Sequence, residues 1–190
     1  IYQEIDHRTL QVVPIHIDQK GTWRLFSQAL KGQMASEDLC HHHECSKNIA
    51  AKIEQATPVS LRPGQKYPFL EFPELALDGA FPIIHGPNGE DGRLQGLLEL
   101  MQIPYVGMNC ASSALAMDKV FSKQVFAQAR LPQLKYLYFN KHDLSLKETE
   151  HLYEDLASEL GPLMFVKPAN MGSSVGISRV SKKSELTAAL

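Results

Sequence analysis

The chain has 190 residues, 44% of them hydrophobic, 8% aromatic and 21% charged, ordinary values for a globular protein with one large or two small cores. Its 19 Lys and Arg against 21 Asp and Glu give a formal net charge of −2 without a basic stripe, which argues against nucleic acid as a partner. No apolar run approaches the ~20 residues that cross a bilayer, and the first residues lack the profile of a signal peptide, so no membrane partner is expected. Cysteines are few and odd in number (Cys40, Cys45 and Cys110), which argues against a disulfide framework and for a reducing, cytoplasmic setting.

Residues 1–7 read as the tail of a helix. The β-branched run 11–17 reads as a short strand, placed at an edge or a strand start by Pro14. A turn signal follows at 18–21, and Trp23 and Leu25 offer the apolar return. From about 28 to 66 the periodicity decays into Ser, Lys, Gln, Glu and His, and the pattern predicts a solvated polar insertion. Within it, Cys40, His41, His42, His43, Glu44 and Cys45 stand side by side. Zinc ligands usually pair at gaps of about two to four residues and need a second, distant pair; none is evident here, so no metal site is expected.

The segment 80–84 reads as a buried strand that delivers the loop 85–92, in which Gly86, Gly89 and Gly92 recur. Leu94, Leu97, Leu98 and Met101 then carry the spacing of one helix face over 93–102. Glu90 and Asp91 stand where the positive end of that helix favours them. A strand, a Gly-rich loop and a helix form an α/β signature, with ligands expected at the carboxyl end of the strand. Taken alone, His85 reads as a loop histidine bonded to backbone.

A further strand is read at 103–107, and residues 109–113 cap a long helix over 112–130. Lys119 and Lys123 lie one turn apart on it and read, by themselves, as a solvated face. Leu131 and Pro132 end this helix; 134–139 reads as a strand and 147–160 as a helix stopped by Gly161 and Pro162. A domain boundary is placed near 107–111, dividing 1–108 from 109–190.

The stretch 165–176 runs from an apolar strand into Lys167, Pro168 and a loop rich in Gly and Ser. Proline disfavours the helical region for the residue before it, so Lys167 is expected at the end of a strand. Gly172, Ser173, Ser174 and Gly176 leave backbone N–H groups uncovered, a nest for anionic oxygens to which hydroxyls add donors. A cation beside such a nest suits a polyphosphate; the alternative is an ordinary loop with an exposed lysine. A strand over 176–180 and a helix from Lys183 complete the chain.

With both glycine-rich stretches in view, the sequence resembles the D-alanine–D-alanine ligases of the ATP-grasp superfamily. The family element His-Gly-x-x-Gly-Glu-Asp-Gly-x-x-Gln-Gly stands complete as HGPNGEDGRLQG and is followed by LLELMQIPYVG. ALAMDKVFSKQVFAQARLP is similar to the family's Met-Asp-Lys helix, and FVKPANMGSSVGISRV to the strand, lysine and loop of its central domain. The resemblance covers nearly all of residues 80–182 and is weaker over 1–27. It implies an α/β fold, with a Rossmann-like (pre-ATP-grasp) N-terminal domain followed by part of the ATP-grasp central α+β domain.

The resemblance also implies the chemistry. ATP phosphorylates a first D-alanine, and the amine of a second attacks the acylphosphate, in peptidoglycan-precursor synthesis for the cell wall. Such a reaction rests on positioning and charge neutralisation, with Mg2+ (or Mn2+) on the phosphates. By correspondence, Lys119 and Lys167 contact nucleotide phosphates, and Gly172, Ser173 and Ser174 form the loop over the transferring group. Ser173 also helps hold the substrate region, His85 lies near the substrate carboxylate, and Gly86 opens the loop at the substrate end; Ser173 and His85 are the candidate catalytic residues. Lys123 gains no role.

In the family, the first strand and loop precede this sequence, and the adenine-binding strand, lid lysine and magnesium ligands follow Leu190. The chain alone is therefore expected to hold half an active site and to be inactive, and a homodimer is expected through the N-terminal domain. The alternatives are a D-lactate or D-serine ligase, another ATP-grasp ligase, against which the complete motif argues, or a catalytically incompetent nucleotide-binding or dimerisation fragment.

Overall fold

Asp18 closes the first hairpin: its Oδ1 accepts the backbone N–H groups of Lys20 (2.8 Å) and Thr22 (2.9 Å), while Gly21 takes φ 82°. The turn joins β1 (Ile15–Ile17) to β2 (Trp23–Leu25), antiparallel, with Ile15 opposite Leu25 and Ile17 opposite Trp23. In the computed structural model, residues 5–18, 20–30, 46–140 and 149–190 are described. The Cys40–Cys45 cluster and Lys147 lie outside them.

The chain folds as two compact units, Ile1–Leu77 and Asp78–Leu190. In the first, α1 (Ser27–Leu30) follows β2, then come α2 (Ser46–Gln55) and β3 (Thr57–Val59), which pairs antiparallel with β2. The sheet order is β1-β2-β3, so Pro58 sits on an edge strand, where a residue without an N–H is tolerated. Leu25, Val59 and Phe69 form the buried centre of this unit, with Ile15, Trp23 and Leu61 packed on it.

Three expectations change in this unit. Among residues 5–7 there is no helix; Asp6 takes the N–H of Arg8 (3.0 Å) and its guanidinium (2.9 Å) in a local turn. The strand expected over 11–17 shortens to its last three residues. The stretch 28–66 is not all insertion: it supplies α2 and a strand of the sheet. The alanines, lysines and glutamate of 46–55 are good helix formers, and Ala56 beyond them is buried.

The second unit contains α3 (Arg93–Leu100), α4 (Cys110–Met117), α5 (Lys119–Gln128), α6 (Thr149–Leu160), the antiparallel pair β4 (Met164–Val166) and β5 (Ser178–Val180), and α7 (Lys183–Ala189). Alternation along β4 and β5 turns Met164, Val166 and Val180 to one face, where Leu152, Leu156 and Leu160 of α6 and Leu186 of α7 cover them. The Tyr153 hydroxyl donates to the carbonyl of Ser181 at 2.6 Å, tying α6 to the end of β5. Gly161 at φ 95° ends α6, as its sequence signalled.

The segments 80–84 and 103–107 are not strands. A single parallel bridge joins Ala80 to Tyr105, made by Ala80 N–H to Pro104 O (2.8 Å) and Val106 N–H to Ala80 O (3.0 Å). The next rung would need an N–H at position 82, and proline has none. Phe81 and Ile83, expected in a buried strand, are each 56% exposed. The run 134–139 is also irregular, with Leu134 87% exposed: its residues suit a pleated surface, but a strand needs a partner, and none pairs with it among the described residues.

The long helix expected over 112–130 is two helices. Asp118 is extended (φ −87°, ψ 113°) and spends its side chain on the N–H groups of Val120 (2.8 Å) and Phe121 (3.0 Å), capping α5. Ser122 donates back to the carbonyl of Leu115 (2.8 Å), satisfying the open end of α4. Asn109 caps α4 through the N–H of Ser112 (2.8 Å), as read from the sequence.

Candidate functional site

The loop from His85 to Gly92 is closed by its own side chains. Gly86 N–H donates to Glu90 Oε2 at 2.6 Å, while Glu90 N–H returns to Gly86 O at 3.0 Å. Asp91 accepts the N–H of Asn88 (2.9 Å) and of Arg93 (3.2 Å), so it caps α3 from just outside it. Gln95, buried at 7% exposure, donates through Nε2 to Gly89 O at 2.9 Å.

The glycines of this motif have separate causes. A Cβ at Gly89 would lie 2.3 Å from the carbonyl oxygen of Ile84, and one at Gly92 would lie 2.6 Å from that of Cys110. Gly92 also takes φ 89°. Gly96, one turn on, faces Cys110 Sγ; together these small residues let α3 and α4 pack closely. Most of the motif builds the loop and its helix.

His85 stands at the head of this loop with an 83% exposed side chain, its Nδ1 3.8 Å from Glu90 Oε1. At the far end of α3, Glu99 accepts the Tyr105 hydroxyl (2.7 Å) and the Cys110 N–H (3.2 Å). The hydrogen bond to Glu99 pushes the Tyr105 phenol above its ordinary value, and desolvation adds to it.

The second glycine-rich loop is open. Lys167 follows β4 directly and is exposed, at the strand end expected of it. Ser173 (φ 51°) and Ser174 (φ 61°) are consecutive left-handed residues, and Gly176 (φ 71°) is a third, where a Cβ would meet Pro168 Cγ at 2.7 Å. The loop's internal bonds use the N–H groups of Val175 (to Gly172 O, 3.0 Å) and Ile177 (to Ser174 O, 3.4 Å). Those of Ser173, Ser174 and Gly176, and both serine hydroxyls, have no partner among the described residues.

Lys119 is brought to the base of this loop. As the first residue of α5, it donates its N–H to Ala169 O (3.0 Å), and its Nζ reaches the same carbonyl (3.4 Å) and that of Met171. Its expected neighbour Lys123 turns elsewhere, 4.7 Å from the Tyr136 ring centroid. The structure thus joins Lys119 to the stretch containing Gly172, Ser173 and Ser174; no hydrogen bond or ion pair joins His85 or Gly86 to it.

Sequence reasoning passed over two residues. Glu90 was read as a dipole partner for α3, yet its carboxylate bonds back to Gly86 and faces His85; the five-residue return across a glycine turn was the available signal. Asp118 was read as helix interior, although Asp followed by a helical run is a capping pattern.

The donor set of residues 167–176 (an ammonium, two hydroxyls and N–H groups in left-handed turns) fits an anionic polyphosphate. A divalent metal is not fitted in the same way. Among the described residues, no three His, Cys, Asp or Glu side chains form a group able to hold one.

Comparisons with known proteins cover the whole chain. Residues 1–108 match the family model described as D-ala D-ala ligase N-terminus, and residues 125–190 match D-ala D-ala ligase C-terminus. A D-alanine–D-alanine ligase of Bacillus pumilus is 42% identical over 189 residues, covering 100% of this chain and 50% of that protein. The solved D-alanine–D-alanine ligase of Coxiella burnetii superposes with a TM-score of 0.79 at 32% identity, over 98% of this chain and 49% of that one. VanG D-Ala:D-Ser ligase of Enterococcus faecalis gives 0.70 at 33% identity, over 99% and 51%. The chain thus spans about half the length of the curated relatives it matches. The fold class expected from the sequence is the one these structures share.

Proposed function

Because the chain belongs to the D-alanine–D-alanine ligase family, we propose that it is part of a ligase that joins two D-alanines with ATP, through a D-alanyl phosphate. The observation that carries this reading is Lys119: its Nζ lies on the carbonyls of Ala169 and Met171, at the base of a loop in which the N–H groups of Ser173, Ser174 and Gly176 and both serine hydroxyls have no partner among the described residues. ATP supplies the phosphoryl group. Lys167 and Lys119 neutralise its phosphates, and the N–H groups and hydroxyls of Gly172, Ser173 and Ser174 hold the group in transfer, donors fixed before charge develops. His85 meets the carboxylate of the first D-alanine, and Gly86 begins the backbone beside it.

Magnesium accompanies the nucleotide in this reading; the described residues present no ligand set for it, and no step above passes through it. The working division of domains is 1–108 and 109–190, and the setting is cytoplasmic, with a homodimer testable by light scattering. No described helix is long and apolar enough to cross a membrane.

Likeness to both a D-alanine and a D-serine ligase structure leaves the second substrate as the point to vary. The test is ATP-dependent phosphate release by the complete reading frame that encodes this chain. It is run with D-alanine alone, with D-alanine plus D-serine or D-lactate, and with L-alanine. Release stimulated by D-alanine and not by L-alanine is expected, with the mixed arms showing which second substrate is preferred. Nucleotide binding without any D-alanine-dependent release would replace the ligase reading with that of a nucleotide-binding module.

A further inference from the structure

We infer that Glu90 is a positioning residue for His85, a role that rests on the substrate-side reading of His85 given above. Glu90 is held from two directions. Its own N–H bonds Gly86 O at 3.0 Å, and its Oε2 takes the Gly86 N–H at 2.6 Å, so that residues 86 and 90 form a closed ring of two hydrogen bonds. Gly89 N–H adds a bond to the same carbonyl at 3.2 Å. With Oε2 fixed, Oε1 has little freedom left, and it stands 3.8 Å from His85 Nδ1. That separation is long for a hydrogen bond and makes the carboxylate an electrostatic neighbour of the ring on its Nδ1 side.

The imidazole itself is 83% exposed, so packing does not decide its orientation; the Glu90 carboxylate is its charged neighbour. A carboxylate on the Nδ1 side settles which ring nitrogen is left over. Nε2 remains for an incoming anionic carboxylate. The same bond withdraws Gly86 N–H from substrate. Gly86 thus opens the substrate end of the loop through its backbone turn and not through that N–H, which Glu90 occupies.

The role is tested by a double-mutant cycle in the complete reading frame. Glu90→Gln keeps an oxygen for Gly86 N–H and removes the charge that faces His85. It is expected to raise KM for D-alanine about tenfold, the scale of one charge-assisted contact, with kcat changed less. In a His85→Ala background, Glu90→Gln should add nothing. An equal cost in both backgrounds, or no cost in either, overturns the proposal, because a purely structural Glu90 would act without His85.

A second readout does not depend on turnover. In uniformly 15N-labelled protein, Glu90→Gln should move the His85 Nδ1 resonance while the amides of Asn88 and Gly89 keep their shifts. An unmoved Nδ1 contradicts the positioning role. If wild-type protein consumes no ATP with D-alanine but the resonance moves, the ligase reading falls and the pairing of Glu90 with His85 stands.

Discussion

The two glycine-rich loops of the second unit differ in how their backbone donors are spent. In residues 85–92, Glu90, Asp91 and the carbonyl of Gly86 consume the N–H groups of Gly86, Asn88, Gly89 and Glu90. In residues 172–176, the donors of Ser173, Ser174 and Gly176 have no partner among the described residues, and the anchor is Lys119, on the carbonyls of Ala169 and Met171. Left-handed backbone and close approach occur in both loops, at Gly92 in the first and at Gly176 in the second, so the glycines themselves do not distinguish them. A Gly-rich sequence is therefore not one signal: the acidic and amide residues around the glycines decide whether a loop is finished or waits for a ligand.

The sharpest way to break this contrast is to add one methyl to each loop. Gly89→Ala puts a Cβ against the Ile84 carbonyl at 2.3 Å, and backbone cannot move aside as a flexible side chain can. A loss of about 3 kcal/mol in urea unfolding of the chain is expected. Gly172→Ala meets nothing within 4 Å and should stay within about 0.5 kcal/mol of wild type. Similar costs at both positions would dissolve the distinction.

Lys119→Met comes next. It leaves the carbonyls of Ala169 and Met171 without their cation and removes a charge from the base of the loop proposed to hold phosphates. ATP affinity measured by calorimetry should fall at least about tenfold. Asp118→Ala acts one step further back, on the cap that starts α5 at Lys119. It should cost about 1 kcal/mol of stability and weaken ATP binding as a consequence, while Asn109→Ala, on the cap of α4, should cost a similar amount without that second effect.

The smallest effect is one of pH and lies outside both loops. Glu185 accepts the N–H (2.8 Å) and hydroxyl (3.0 Å) of Ser181, and the backbone bond chiefly holds its carboxyl below the ordinary value of 4.5. A depressed pKa favours the folded state above the ordinary value, and that contribution is lost as pH falls through the lowered one. Glu185→Gln should therefore flatten the acid limb of the stability curve by lowering stability slightly at neutral pH, with wild type and variant converging below the lowered pKa, as followed by circular dichroism.

Much of this was legible in the sequence, and the exceptions have physical reasons. The turn at Asp18, the cap at Asn109, the leucines of α6 and the position of Lys167 after β4 follow from local chemistry, which a sequence displays. The strands expected at 80–84, 103–107 and 134–139 did not form, because apolar β-branched residues advertise a preference for pairing and not a partner; Pro82 and Pro104 removed the donors a ladder between two of them required. Asp118 divided a helix that periodicity alone would have continued. At the candidate site, the motifs singled out the two loops, but which side chain bonds which N–H, as with Glu90 and Gly86, appears only once the loop is folded.

The most direct test of the contrast between the loops is amide hydrogen exchange in the complete reading frame, with and without ATP. The account predicts slowed exchange at Ser173, Ser174 and Gly176, with Gly86, Asn88, Gly89 and Glu90 unchanged by nucleotide. Protection of residues 86–90 by ATP, with none at 173–176, would contradict it.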